Sequence, residues 1–174
     1  MIDSVLNKLD KYNLQGFSHS DEGLMSHLKG TYALLKEWRC SEDLCLAGLC
    51  HSIYGTESYR KSPIELSERT NIRNIIGAEA EKTAYYFGAH VKDSLWANLE
   101  IDRDFSIFDR LEGKTIPMTK NELADLITLT LANWLEQRAR LDKKHLFLRQ
   151  DEFLRSEKYL SIAAFNAFKE AYGL

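Results

Sequence analysis

The chain has 174 residues, 44% hydrophobic and 28% charged, with 23 basic and 26 acidic side chains and a formal charge of -3. That length favours one domain, with a core large enough to fold without disulfides or a structural metal. The composition excludes disorder, collagen and a disulfide scaffold, and the near-balanced charge gives no electrostatic ground for a nucleic-acid or anionic-membrane partner. No apolar run approaches the ~20 residues of a membrane span, and Met1-Ile2-Asp3-Ser4 does not open like a signal peptide. Cys40, Cys45 and Cys50 are odd in number and spaced by five, which suits neither a disulfide framework nor a metal knuckle. Read as small buried thiols, they point to a cytoplasmic protein.

Only Pro63 and Pro117 interrupt the chain, leaving room for long helices. Val5, Leu6, Leu9 and Tyr12 make a short amphipathic stretch, and Asn13 to Ser20 reads as a loop. Ser20 or Asp21 can cap a helix to about Trp38, with Leu24, Leu28, Leu35 and Trp38 on one face. Ser41 caps the next helix, whose run from Leu44 to Cys50 is apolar on every side and belongs at the centre of the domain. Ala47 and Gly48 admit a close neighbour there. Ser62-Pro63-Ile64-Glu65 has the form of a capping box, and Ile72, Ile75 and Ile76 lead to a stop at Gly77. Ala78 to Gly88 is a further helix, and Leu99 to Pro117 reads as an exposed loop. Thr119 to Glu122 is a second capping box, opening a helix to about Leu141. Asp151 to Tyr172 is expected to be the last helix. The predicted class is all-α, a single domain over 1–174 with six to eight helices.

Of the five histidines, His27 lies within an apolar helical stripe and His51 ends the most hydrophobic helix. Asp125 sits among Leu123, Ala124, Leu126 and Leu129, where a carboxylate is costly unless paired or bound to metal. Two histidines and an acid on three helices could meet at one divalent ion, with Zn, Fe or Mn suited to the set. The plainer alternative is a pair of core histidines bonded to backbone carbonyls, with Asp125 serving the helix dipole.

The stretches Ser26-His27-Leu28-Lys29-Gly30-Thr31-Tyr32 and Leu46-Ala47-Gly48-Leu49-Cys50-His51-Ser52 resemble the opening of an HD-superfamily metal-dependent phosphohydrolase. The likeness is closest to the domains that hydrolyse guanosine tetraphosphate, and Ala124-Asp125-Leu126 looks like that superfamily's last Asp. It covers about residues 20 to 140, and is strong only at 24–54 and 122–137. The resemblance implies an HD-like helical bundle with its core over 20–140, C-terminal helices packed on it, and a metal held by His27, His51 and Asp125. The superfamily's name-giving Asp is Ser52 here, as in an uncharacterised HD-like group with His-Ser at this place.

Hydrolysis of a small phosphorylated molecule such as a nucleotide is the leading expectation. Alternatives are an HD-like ligand- or partner-binding module without catalysis, and a non-haem iron oxygenase on a 2-His-1-carboxylate set. Glu57 is the candidate general base. His90 and His19 are candidate additional ligands, although a solvated loop or helix end is their commoner role. Tyr54, Arg69, Arg73, Asn133 and Glu136 are the candidate substrate-binding residues, Arg69 and Arg73 because i,i+4 neighbours share a face. Trp38, Trp96 and Trp134 read as packing residues. The expected partner is a small-molecule substrate, with oligomeric state left open.

Overall fold

The computed structural model describes residues 2–12, 23–138, 140–141, 145 and 147–174. His19 and the capping candidates Ser20 and Asp21 lie outside the described residues. The protein is mainly helical: α1 (Ile2–Leu9), α2 (Gly23–Glu37), α3 (Glu42–Cys50), α4 (Arg69–Ile76), α5 (Ala78–Ala89), α6 (Lys92–Ala97), α7 (Lys120–Arg138), α8 (Gln150–Arg155) and α9 (Ile162–Tyr172). A two-stranded antiparallel hairpin, β1 (Ser106–Asp109) and β2 (Lys114–Pro117), lies between α6 and α7. Nine helices among the described residues thus exceed the expected six to eight.

Helix α3 is the hub. Ser41 caps it, its hydroxyl accepting the Leu44 N–H at 3.2 Å, and every residue from Leu44 to Cys50 is buried. It packs on α2, α5 and α7, while α2 also packs on α7 and α9 lies against α7. Glycine makes the closest approaches. A Cβ on Gly48 would lie 2.4 Å from Leu35 Cδ1, and one on Gly30 would lie 2.7 Å from Glu136 Cγ. These two positions let α2 meet α3 and α7 at the depth where the histidines sit. The cysteines are unpaired, and burial pushes the Cys45 and Cys50 thiols up to about 12, so they behave as inert hydrophobes.

Three departures from the sequence reading have local causes. Ser62 does not cap a helix: its hydroxyl donates to the Ile53 and Ile64 carbonyls, and regular helix begins later, at Arg69. The last helix is broken into α8 and α9 because Ser161 caps a new start, accepting the Ala164 N–H at 3.2 Å. The expected 99–117 loop holds the hairpin, whose four-residue strands are too short to display a period of two. Its inward positions are Ile107 and Asp109, and the buried acid masks the alternation. Asp109 earns burial by accepting the Tyr85 hydroxyl at 2.7 Å and the Leu111 N–H at 2.8 Å.

A buried ionic cluster ties the α3 exit to α4 and α5. Glu81 is fully buried. Its carboxylate accepts from Arg69 at 2.6 and 3.1 Å, from Arg73 at 2.8 Å and from the Tyr54 hydroxyl at 3.0 Å. The Arg69 guanidinium also lies 3.5 Å over the Tyr85 ring. Burial alone would raise the Glu81 carboxyl, but the two arginines outweigh it and hold it below its ordinary value. Removing one partner of such a cluster leaves an uncompensated charge inside. Glu81→Gln is therefore expected to lower stability by about 3 kcal/mol, read from the urea midpoint. Because the folded-state value is depressed, the cluster's stabilisation is present above the unfolded value of 4.5 and is lost as pH falls below it.

Candidate functional site

The site is built from one face of α2, the end of α3 and one face of α7. His27 lies near the start of α2, and His51 follows the last residue of α3. Asn133, Glu136 and Gln137 are spaced i, i+3, i+4 on α7 and share a face. The His27 Nδ1–H donates to the Glu136 carboxylate, which also pairs with Arg140. The His51 Nδ1–H donates to the Gly48 carbonyl at 2.7 Å. A carboxylate and a carbonyl only accept, so each Nδ1 carries the hydrogen and each Nε2 faces inward.

Three inward atoms converge. His27 Nε2 lies 3.0 Å from His51 Nε2 and 3.0 Å from Asn133 Oδ1, and His51 Nε2 lies 3.0 Å from that same oxygen. Gln137 Nε2 donates to Asn133 Oδ1 at 2.9 Å, which holds the oxygen toward the imidazoles, and it also lies 3.4 Å from His27 Nε2, a longer contact to the same cluster. His51 is fully buried, and burial, then the proximity of His27, lowers it to about 3, so it is a neutral acceptor. Burial alone would raise Glu136, but the hydrogen bonds from His27 and Arg140 hold it below its ordinary value.

Lone-pair atoms at such distances repel unless something positive lies between them. One shared proton bridges at most two edges of the triangle. Rotating both amides does not close it either, because the two hydrogens of the Asn133 amide would then face three acceptors. A divalent ion satisfies all three. Edges of 3.0 Å match adjacent ligands on an octahedral ion with bonds of about 2.1 Å. Each imidazole is backed by an acceptor, the arrangement that fixes tautomer and ring direction in metal sites. Among the described residues, no three His, Cys, Asp or Glu side chains form a metal-holding group. The set is two imidazoles and an amide oxygen.

The cluster opens on a cavity of about 620 Å³. His27, Ser52, Glu57, His90, Asn133 and Gln137 all line it. Apolar wall is supplied by Leu24, Phe87, Trp96, Trp134 and Phe153, so two of the tryptophans read as packing residues face the cavity. Among the described residues its charged lining is Lys92, Arg140 and Arg149 with Glu57; Arg140 also pairs with Glu136, and Arg149 with Glu152.

The structure thus brings His27, His51, Asn133 and Glu136 together, with Ser52, Glu57 and His90 on the same cavity. Asp125 is not among them. It precedes Asn133 by eight residues on α7, a displacement of about 12 Å along the axis. Its acidic neighbours are instead Glu122, Asp43 and Glu79, and burial followed by those charges raises its carboxyl. Asn133 holds the position assigned to it, so the third donor is neutral, and no 2-His-1-carboxylate set forms among the described residues. Tyr54, Arg69 and Arg73 are committed to Glu81 and do not line this cavity. Glu57 Oε2 accepts the Lys92 backbone N–H at 3.1 Å. Gln137, Phe87, Lys92, Arg140 and Arg149 were not singled out in the sequence. Gln137 was signalled only by its i+4 spacing from Asn133, and Phe87 by lying three residues before His90.

Residues 8–91 match a family model described as Domain of unknown function (DUF6817). No curated protein and no solved structure matches the chain.

Both buried histidines resist protonation, with His90 lowered to about 4 by burial. An unfolded histidine gains its proton near 6.5, so the unfolded state binds more protons below that pH. In the metal-free protein, the stabilisation is complete above pH 6.5 and falls as pH drops toward 4. Urea midpoints at pH 7 and pH 5 are expected to differ by about 2 kcal/mol per buried histidine, and His90→Phe is expected to reduce the difference.

Proposed function

We propose that the protein is an HD-like divalent-metal protein that hydrolyses a small phosphorylated molecule. The observation that carries this reading is the convergence of His27 Nε2, His51 Nε2 and Asn133 Oδ1 at the wall of a cavity with a cationic lining. A divalent ion held by these three uncharged donors would keep its full charge and supply Lewis acidity toward water and phosphate oxygens.

The chain's own residues do the rest. Glu136 and the Gly48 carbonyl hold the two imidazoles in the tautomer that presents Nε2. Gln137 keeps the Asn133 oxygen facing them. Lys92, Arg140 and Arg149 attract and neutralise an anionic ester. Glu57, held by the Lys92 backbone N–H through Oε2, takes the proton of the attacking water at Oε1. Phe87, Trp96 and Trp134 keep bulk water from the organic part of the substrate.

A second reading, ligand binding without turnover, is favoured by the lack of a carboxylate in the donor triad. The two separate on a metal-reconstituted sample offered nucleotide and aryl phosphates. Retained metal with phosphate release supports hydrolysis, whereas retained metal without release supports the binding module. Reconstitution with Mn, Fe or Zn followed by elemental analysis is expected to give one ion per chain, and His51→Ala to lower retention at least about tenfold. Glu57→Gln is expected to lower turnover about 100-fold with metal content unchanged. Ser52→Asp adds a carboxylate beside His51 and is expected to raise Mn retention, measured by competition with a chelating dye.

A further inference from the structure

His90 stands apart from the triad on the same cavity. It is only 5% exposed, at the C-terminal end of α5. The neighbouring chain grips the hairpin, the Val91 N–H donating to Phe108 at 3.0 Å and the Arg110 N–H donating to Ala89 at 2.9 Å. The ring's own direction is set by its Nδ1–H, which donates to the Tyr86 carbonyl at 3.1 Å. Nε2 is therefore the acceptor, and it has no hydrogen-bond partner among the described residues. It is not sealed away either: the one fully enclosed side-chain polar atom without a partner there is Trp96 Nε1. A nearly buried acceptor reachable from a cavity can take a hydrogen bond from a donor on a ligand that fills the cavity.

The rings between the two polar places are apolar. Phe87 meets His51 edge-on at 4.8 Å and His90 at 5.7 Å, so it spans the interval from the triad to His90. Trp96, Trp134, Leu148 and Phe153 continue this wall. A body that fills such a space must itself present flat or apolar faces.

We propose that the cavity's ligand is an anion with an aromatic or alicyclic body, carrying a hydroxyl or N–H group that donates to His90 Nε2. This rests on the cavity being the ligand site, as in the proposed function, but requires neither metal nor hydrolysis. His90 acts as a binding residue that selects the donor. Selection of this kind is sharp because the analogue lacking the group leaves the buried nitrogen unpaired.

The test is calorimetric titration of the whole chain, metal-free and zinc-loaded, with phenylphosphonate and its 2-, 3- and 4-hydroxy derivatives, whose C–P bond resists hydrolysis. At least one hydroxylated probe is expected to bind about fivefold or more tightly than phenylphosphonate. His90→Phe keeps ring volume and is expected to bring that preference within about twofold while phenylphosphonate affinity holds. His90→Gln retains an acceptor and is expected to restore part of the preference, an effect a merely structural role would not show. Ribose 5-phosphate, hydroxylated but without flat apolar faces, is expected to bind more weakly than any phenylphosphonate. Equal affinity for all phosphonates, no binding of any, or equal loss of all probes in both variants would overturn the inference. Metal retention without a hydroxyl preference leaves the proposed function standing and ends this proposal; a preference without metal retention does the reverse.

Discussion

The arrangement turns on two tethered imidazoles. A buried histidine usually satisfies both nitrogens within the protein. Here each Nδ1 is spent on a neighbour, Glu136 or the Gly48 carbonyl, and both Nε2 atoms are turned toward each other and toward an amide oxygen. Mutual repulsion of three acceptors must be offset by packing elsewhere, or removed by a cation.

Close helix approach brings the three atoms together. Gly48 brings α2 onto α3, and Gly30 leaves space for the Glu136 side chain between α2 and α7. The cluster around the fully buried Glu81 ties the α3 exit to α4 and α5. Its arginines, Arg69 and Arg73, neutralise a buried acid. The cations that line the cavity among the described residues come from α6 and from beyond the end of α7, away from the Glu81 cluster in sequence.

What could be read in the sequence follows how local each signal is. The Ser41 and Thr119 caps, the buried α3 run and the stop at Gly77 depend on neighbours within a turn, and the structure has each of them. His27 and His51 were legible because a polar ring on an apolar face needs a reason. Asp125 misled for the same cause: a carboxylate among leucines reads as a ligand, while its true surroundings are acids brought in from α3 and α5. Asn133, an ordinary amide on the page, gains its meaning only from two imidazoles supplied by other helices. The hairpin hid behind Asp109, an inward acid whose partners, Tyr85 and a turn, are remote or irregular. The cavity wall was least legible, since Phe87, Trp96 and Phe153 look like core until the space between them is seen.

X-ray absorption spectroscopy at the zinc edge, on the reconstituted whole chain, addresses the central claim most directly. The account predicts two imidazole ligands at about 2.1 Å with oxygen completing the shell, and loss of one imidazole in the His27→Ala protein. A shell of oxygen alone, or one containing sulfur, would contradict it.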